Sequence, residues 1–548
     1  MTTTVQGAPA ASRAATPATT SADIVPPAVY QGGTIGDMIL SAIDRFPERV
    51  AFIEEGCQWT YRELGRHIGR AMGAFAALGL RRGDGVVQLS PNRVEMFVLM
   101  AAAYLSGLRS VTLHGMGGLD DHAYIVNDAE ASVFIADPAY ADRAMALRDR
   151  CTHVRHWFCH ETAPGDGMAL PNFWRYADSV GHVPLVQQAQ PTDIVRLAYT
   201  GGTTGKPKGV MLSNRSMWMQ AVLLLAARSV PDDVRLLCPT PISHGAGAMV
   251  VPTLWRGGTV ILQRGFDAER FIDALERHRA NLAFLVPTMI YTLLDHPRSR
   301  TADFSSLRTL SYGAAPMSPA RIREALARFG PVLAQSYGQT ECPSNILQLT
   351  QEDHCRDDGE TLTSAGMPYP GVTVALLDDD DRPVERGTVG ELCVRSPLVM
   401  DGYWKQPEQT AQALRNGWLH TGDMAYQDPS GYFHLVDRKK DMIVSGGFNV
   451  YPREVEDVLT AHPAVAAAAV IGVPDDKWGE AVKAVVVLRA GAQASREELR
   501  AAVRSAKGAV NTPKSIDFVT DLPLTALGKP DKKRLRERYW QGHARAVH

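Results

Sequence analysis

No apolar run in this sequence reaches the roughly 18–20 residues of a membrane-spanning helix. The nearest, "MFVLMAAAYLSGL" at 96–108, reads as a buried helix. An excess of one charge is also lacking. Lys and Arg number 57 against 59 Asp and Glu, a net charge of -2, which gives no electrostatic footprint for nucleic acid or an anionic membrane. The seven Cys are scattered, odd in number and without a CxxC pair, which suits free thiols in a reducing, cytoplasmic compartment. Residues 1–28 are rich in Ala, Thr and Pro but have neither an apolar h-region nor a basic n-region, Arg13 being the one basic residue. They read as a disordered tail and not as a secretory signal. "CTHVRHWFCH" (151–160) carries Cys and His, but its spacing fits no standard zinc pattern and its neighbours alternate as in a strand.

What remains is an ordinary soluble composition, 45% hydrophobic and 21% charged, in 548 residues, too long for one core. From about residue 34, helix-like and strand-like segments alternate. "DGVVQLS", "RSVTL", "ASVFIAD", "VRLLCPTP", "TVILQRG", "LAFLVP" and "LRTLSYG" are short β-rich runs with helical stretches between them. This β–α alternation predicts parallel sheets covered by helices. At 372–400 the texture becomes strand, polar turn, strand, the mark of a small antiparallel or barrel-like subdomain. After "HLVDRKKDMIVSGGFNVYP" the chain restarts with the helix "REVEDVLTAH", two strands and a basic end, which places a domain boundary near 437–440.

"LAYTGGTTGKPKGVMLS" (197–213) is Gly- and Thr-rich and ends in two lysines, yet it is not the common P-loop: Gly201 stands three residues before Gly205-Lys206, and Pro207 follows. Its chemistry is still that of a polyphosphate grip. Thr200, Thr203 and Thr204 offer hydroxyls, Gly201, Gly202 and Gly205 allow close backbone approach, and Lys206 and Lys208 offer cations. A flexible surface turn is the bland alternative. Three further segments add weight. "SYGQTECP" sets Tyr337, able to stack on a purine, beside Thr340 and Glu341, able to meet phosphate and Mg²⁺. "WLHTGDMAYQDPSGYFHLVDRKKD" carries Asp423 and Arg438, suited to a ribose. "TALGKPDKKRLRER" carries Lys529 in a Gly-containing loop.

With "YTGGTTGKPKGV", "SYGAAP", "SYGQTE", "GWLHTGD", "VDRKKDMIVSGGFNVYP" and "TALGKPDKKRLRE" in this order, residues 34–535 resemble the adenylate-forming superfamily of acyl-CoA synthetases, firefly-type luciferases and amino-acid adenylation domains. The usual loop has Ser where this chain has Gly201. The resemblance implies an α/β fold: a large N-terminal region (29–437) of two helix-covered β-sheets plus a small β-barrel subdomain, and a small mobile α+β C-terminal domain (438–548). It also implies roles. The Thr200–Lys208 loop would hold the β- and γ-phosphates of ATP. Gly313, Ala314 and Ala315 would lie along adenine under Tyr337. Thr340 would touch the α-phosphate, Glu341 would bind Mg²⁺, and Asp423 and Arg438 would hold the ribose. Lys529 would bridge the substrate carboxylate and the α-phosphate, Lys440 would be the hinge, and Ser445, Gly446, Gly447 and Phe448 would admit the pantetheine of coenzyme A.

His244, in "PTPISHGAGAM", matches a common histidine near the adenylate and the thiol channel; a hydrogen-bonded core histidine is the alternative. No acidic residue stands in that segment to pair an ammonium, which argues against an α-amino acid. Gly245, Ala246, Gly247 and Gly338, with Met249, Val286 and Thr288, indicate an apolar slot. The expected activity is therefore an ATP-dependent acyl-CoA ligase for a hydrophobic acid, a fatty acid first and an aromatic acid second. Loading of a carrier protein, luciferase-type oxygenation and a catalytically dead nucleotide-binding module are the competing readings. Oligomeric state is open, a homodimer being one arrangement the sequence allows.

Overall fold

The computed structural model describes residues 33–161, 170–200, 206–227, 230–356, 359–438, 441–445, 448–475, 478–524 and 530–540, the side chains of residues 438, 444 and 449 excepted. The predicted tail at 1–28, Gly201, Gly202, Thr203, Thr204, Gly205, Lys440, Gly446, Gly447 and Lys529, and the Arg438 side chain, therefore lie outside the described parts.

Two large sheets carry the N-terminal region. The seven-stranded sheet runs Gly402–Tyr403, Lys208–Ser213, Ile194–Thr200, Arg109–Leu113, Gly85–Leu89, Ala131–Ala136, His156–Cys159. Its last five strands are parallel. Parallel neighbours need long crossovers, and helices supply them. Val94–Ser106 joins Gly85–Leu89 to Arg109–Leu113, and Leu119–Asp128 leads on to Ala131–Ala136. The "CTHVRHWFCH" segment forms this sheet's edge strand, and the fully buried His160 Nδ1 lies 3.3 Å from Trp174 Nε1, which donates to it.

The second sheet has nine strands, with six parallel strands at its centre. Four of them, Arg235–Cys238, Leu282–Leu285, Thr309–Gly313 and Leu333–Gln339, matter for the site. The helix Val94–Ser106 is apolar on all sides, as a helix packed within a core must be. Its Phe97 ring meets Phe52 of the nine-stranded sheet at 5.2 Å.

The antiparallel subdomain expected at 372–400 is a four-stranded sheet that runs further along the chain: Thr373–Leu377, Gly390–Arg395, Leu419–Gln427, Phe433–Arg438. Beyond it stands a fourth, five-stranded sheet with its own core. Strands Phe448–Val450, Ile443–Ser445, Gly479–Leu488 and Val465–Asp475 lie side by side, with Ser515–Phe518 parallel to Gly479–Leu488. Val455 and Leu459 of one helix and Leu499 and Val503 of another pack on Val470, Val482 and Ile516. The last helix, Lys532–Tyr539, is pinned to this layer: Lys532 Nζ is 2.8 Å from Glu456, and Arg536 is 2.9 Å from Asp441. Leu524 and Pro530 form an antiparallel bridge just before it.

Among the described residues, no helix is long and apolar enough to cross a membrane. All seven cysteines are free.

Candidate active site

In open parallel sheets, ligands bind beyond the carboxyl ends of the strands, where loops are free to vary and helix starts point inward. The sequence-predicted residues collect there. Arg235–Cys238 leads into the segment with His244, Leu282–Leu285 into Val286 and Thr288, Thr309–Gly313 into Ala314 and Ala315, and Leu333–Gln339 into Thr340 and Glu341. On the other sheet, Ile194–Thr200 and Lys208–Ser213 flank the Gly-Thr loop, with Thr200 opposite Lys208.

Backbone approach is close at the position expected to meet adenine. A Cβ on Gly313 would stand 2.4 Å from the Ser336 carbonyl oxygen of the neighbouring strand. The exposed Ala314 that follows adopts a left-handed φ of 66°, which costs a non-glycine residue about 1 kcal/mol or more. Strained residues of this kind gather at ligand clamps.

Two tyrosine hydroxyls draw the site together. Tyr337 donates to Asp423 Oδ2 at 2.5 Å, joining the proposed base and ribose positions across the nine-stranded and four-stranded sheets. Asp423 stands opposite Arg438 in register, within the strand Leu419–Gln427, just after Gly422 with its left-handed φ of 72°. Thr421 Oγ1 accepts the Asp423 N–H at 3.1 Å, and Glu391 Oε1 accepts the Gly422 N–H at 3.0 Å. Glu391 is buried beside His420 and Arg415, so a charged network backs the strand segment that presents Asp423.

The second hydroxyl belongs to Tyr403, which sequence reasoning missed. It donates to Glu341 Oε1 at 2.8 Å, and its ring lies 4.9 Å below the Lys208 ammonium. Burial, and then the Glu341 charge, push the Tyr403 phenol well above its ordinary value, so it remains a donor. Tyr403 pairs with Val210 at the edge of the seven-stranded sheet, so one side chain lies between Lys208 and the Glu341 carboxylate at the end of the other sheet. Its signal, "DGYW" after a polar turn, has no diagnostic spacing. Glu341 is a hard oxygen donor with its other oxygen uncommitted to Tyr403, the chemistry a Mg²⁺ ligand requires.

His244 Nδ1 lies 2.9 Å from Ser243 Oγ, and its ring meets His114 edge-on at 5.2 Å. Burial, then Arg196 and His114, lower its pKa to about 3, so it is a neutral imidazole at physiological pH. His114, a second residue missed from sequence, follows the strand Arg109–Leu113 and is also lowered by burial.

The remaining calls fall less closely. A Cβ on Gly338 would come within 2.6 Å of the Ser344 backbone nitrogen, so close chain approach by itself accounts for that glycine. Gly245 faces the Phe284 ring, and Thr288 is exposed in the first turn of Pro287–Asp295. Ser445 is buried and the 59%-exposed Phe448 stands opposite it in the C-terminal sheet. Both are outside the set of side chains that Tyr337 and Tyr403 draw together.

Comparison with known proteins follows this geometry. The AMP-binding enzyme profile matches residues 40–404, and the AMP-binding enzyme C-terminal domain profile matches 454–529. The chain is 43% identical over 524 residues to the medium/long-chain-fatty-acid–CoA ligase FadD8 of Mycobacterium tuberculosis, covering 93% of this chain and 91% of that protein. It is 39% identical over 495 residues to a feruloyl-CoA synthase of an Amycolatopsis species, covering 90% and 96%. Among solved structures, the amide bond synthetase McbA from Marinactinospora thermotolerans superposes with a TM-score of 0.84 at 36% identity, over 92% of this chain and all of that one.

Proposed function

The chain belongs to the AMP-binding enzyme family, and from that premise we propose that it is an ATP-dependent acyl-CoA ligase that activates a hydrophobic carboxylic acid, a fatty acid first, as an acyl-adenylate. The observation that carries this reading is the pair of tyrosine contacts, Tyr337 on Asp423 and Tyr403 on Glu341. They bring together side chains from three sheets, which supports reading Tyr337, Asp423, Tyr403 and Glu341 as parts of one site.

A carboxylate is a poor electrophile because oxide would have to leave. Its oxygen instead attacks the α-phosphorus of ATP, and pyrophosphate departs. Negative charge gathers at that phosphorus, and fixed cations and donors that face it lower the barrier most. Thr340 and Lys529 meet the α-phosphate, while Thr200, Thr203, Thr204 and Lys208 hold the leaving pyrophosphate. A Mg²⁺ on Glu341 would supply further charge neutralisation on the phosphate oxygens. Asp423 and Arg438 take the ribose, with Gly313, Ala314, Ala315 and Tyr337 on the base. The neutral His244 borders the acyl slot, where an imidazolium would pair with the acid's carboxylate and hold back its attack. The adenylate is a mixed anhydride, and the CoA thiol displaces AMP from it.

For the second step, residues 438–548 form a unit that turns about Lys440 against 29–437, bringing Ser445, Gly446, Gly447 and Phe448 to the adenylate. The separate core of that unit and the separate profile match at 454–529 support this division. The seven free thiols support a reducing, cytoplasmic setting. An aromatic acid is the second reading, favoured by the feruloyl-CoA synthase at 39% identity.

The test is a panel of aliphatic and aromatic acids with ATP, Mg²⁺ and CoA, scored for AMP, pyrophosphate and thioester. ADP and phosphate as the main products would overturn the proposal.

A further inference from the structure

Behind the turn Gly245–Met249 lies a narrow cavity of about 20 Å³, walled by Phe97, Met100, Val250 and other apolar side chains. Three polar side chains also line it: Tyr104, Arg196 and Gln220. Arg196 is the unexpected one. It sits within Ile194–Thr200, an interior strand of the seven-stranded sheet, where a buried position would ordinarily take an apolar residue. Its guanidinium donates to the Ser243 carbonyl oxygen at 2.5 Å. Among the described residues, no carboxylate pairs with it. Tyr104, on the buried helix Val94–Ser106, is 2% exposed, and its hydroxyl has no hydrogen-bond partner among the described residues.

The guanidinium has one acceptor, the Ser243 carbonyl, and the buried phenol beside the same small space has none, and a buried hydroxyl left so is costly unless something accepts from it. A hydrocarbon tail cannot. The cavity has room for a single terminal atom or group and not for a chain, since its volume is near that of a single water site. Gly247, one of the residues expected from sequence to form the acyl slot, also lines this cavity, so the two adjoin.

We propose that Arg196 and Tyr104 recognise an acceptor oxygen at the distal end of the acid, so that the preferred substrate is an acid with an oxygen-bearing tail and not a plain hydrocarbon. The inference rests on the acyl-CoA ligase reading above and narrows its substrate class. Both residues are specificity determinants: they touch the tail and not the reacting carboxylate. A site built to bond an oxygen discriminates strongly against the analogue that lacks it, because its own polar groups are then left unpaired.

The experiment compares acids in pairs of equal length: alkanoic acids with their ω-hydroxy and ω-carboxy counterparts, and cinnamic with 4-hydroxycinnamic acid. CoA-dependent AMP formation gives kcat/KM for each. The parent protein should favour the oxygenated member by about tenfold or more in at least one pair. Arg196→Met, of similar length and without charge, should bring that ratio close to one. Tyr104→Phe, which removes a single oxygen and keeps the packing, should lower it in part and stands as the test should Arg196→Met fold poorly. A preference for the ω-carboxy acid assigns an ion pair to Arg196; a preference for the hydroxyl or phenol assigns neutral hydrogen bonds. Plain acids preferred in every pair, or a ratio unmoved by both substitutions, overturns the inference while leaving the ligase reading intact. No AMP from any acid overturns both.

Discussion

Tyr403→Phe removes one oxygen from the centre of the site and leaves the ring under Lys208. The lost contact is a hydrogen bond to a carboxylate, which contributes about 1.5–3 kcal/mol when the acceptor is charged. Since about 1.4 kcal/mol is tenfold in rate, adenylate formation should slow by roughly ten- to a hundredfold. Tyr403 is a positioning residue, so its effect must run through Glu341. Glu341→Gln alone should cost about 2–4 kcal/mol, comparable with loss of one preorganised electrostatic contact. In the Gln background, Tyr403→Phe should then cost far less than it does alone, a coupling of about 1.5–3 kcal/mol in a double-mutant cycle. The assay is single-turnover pyrophosphate release, run across a Mg²⁺ titration. Half-saturating Mg²⁺ should rise in Tyr403→Phe, which a purely structural role would not bring about. Strictly additive losses in the double variant would refute the claim that Tyr403 orients Glu341.

Lys529→Ala should abolish adenylate formation from acid and ATP by orders of magnitude yet convert preformed acyl-adenylate and CoA to thioester near the parent rate; equal losses in the two half-reactions would favour a static site. Arg93 is 3% exposed and bonded to Asp137 at 2.7 Å, Glu95 and Glu161, so Arg93→Ala should leave the buried Asp137 carboxylate uncompensated and lower unfolding stability by about 3–5 kcal/mol, read from urea curves. His244 is held down to about 3 from 6.5, so unfolding takes up a proton between those values. Its contribution to stability is complete above about pH 6.5 and is lost as pH falls toward 3, and His244→Gln should make the acid limb of the urea midpoint against pH shallower.

The parts of the site that were legible in the sequence are those whose chemistry is local. "SYGQTE" was legible by its residue types, and the structure makes it a strand end and a tight turn into the hairpin strand Cys342–Leu349. The helix at 94–106 was legible because an unbroken apolar run admits no solvent face. Tyr403 was not, because its meaning depends on Glu341, 62 residues away on a different sheet. The Tyr337–Asp423 contact spans 86 residues, so the sequence offers a ring for a purine and a carboxylate for a ribose separately, and not the bond between them. Arg196 looked like one more strand residue until sheet order placed its strand between two others and its side chain against Tyr104 and Ser243. Gly338 went the other way. It read as room for a substrate, whereas the hairpin back to Ser344 already accounts for its missing side chain.

The anchoring of the last helix bears on how the two half-reactions alternate. Lys532 is fastened to Glu456, and Pro530 is bridged to Leu524, so Lys529 is covalently joined to a residue already moored. Three residues of chain span at most about 11 Å even when fully extended. On the two-step scheme proposed above, any withdrawal of Lys529 from the α-phosphate beyond that span would carry the whole five-stranded layer with it. Exchange between adenylation and thiolation would then be the motion of a whole domain through solvent, slowed by the drag of the medium, so turnover limited by this exchange should fall as solvent viscosity is raised.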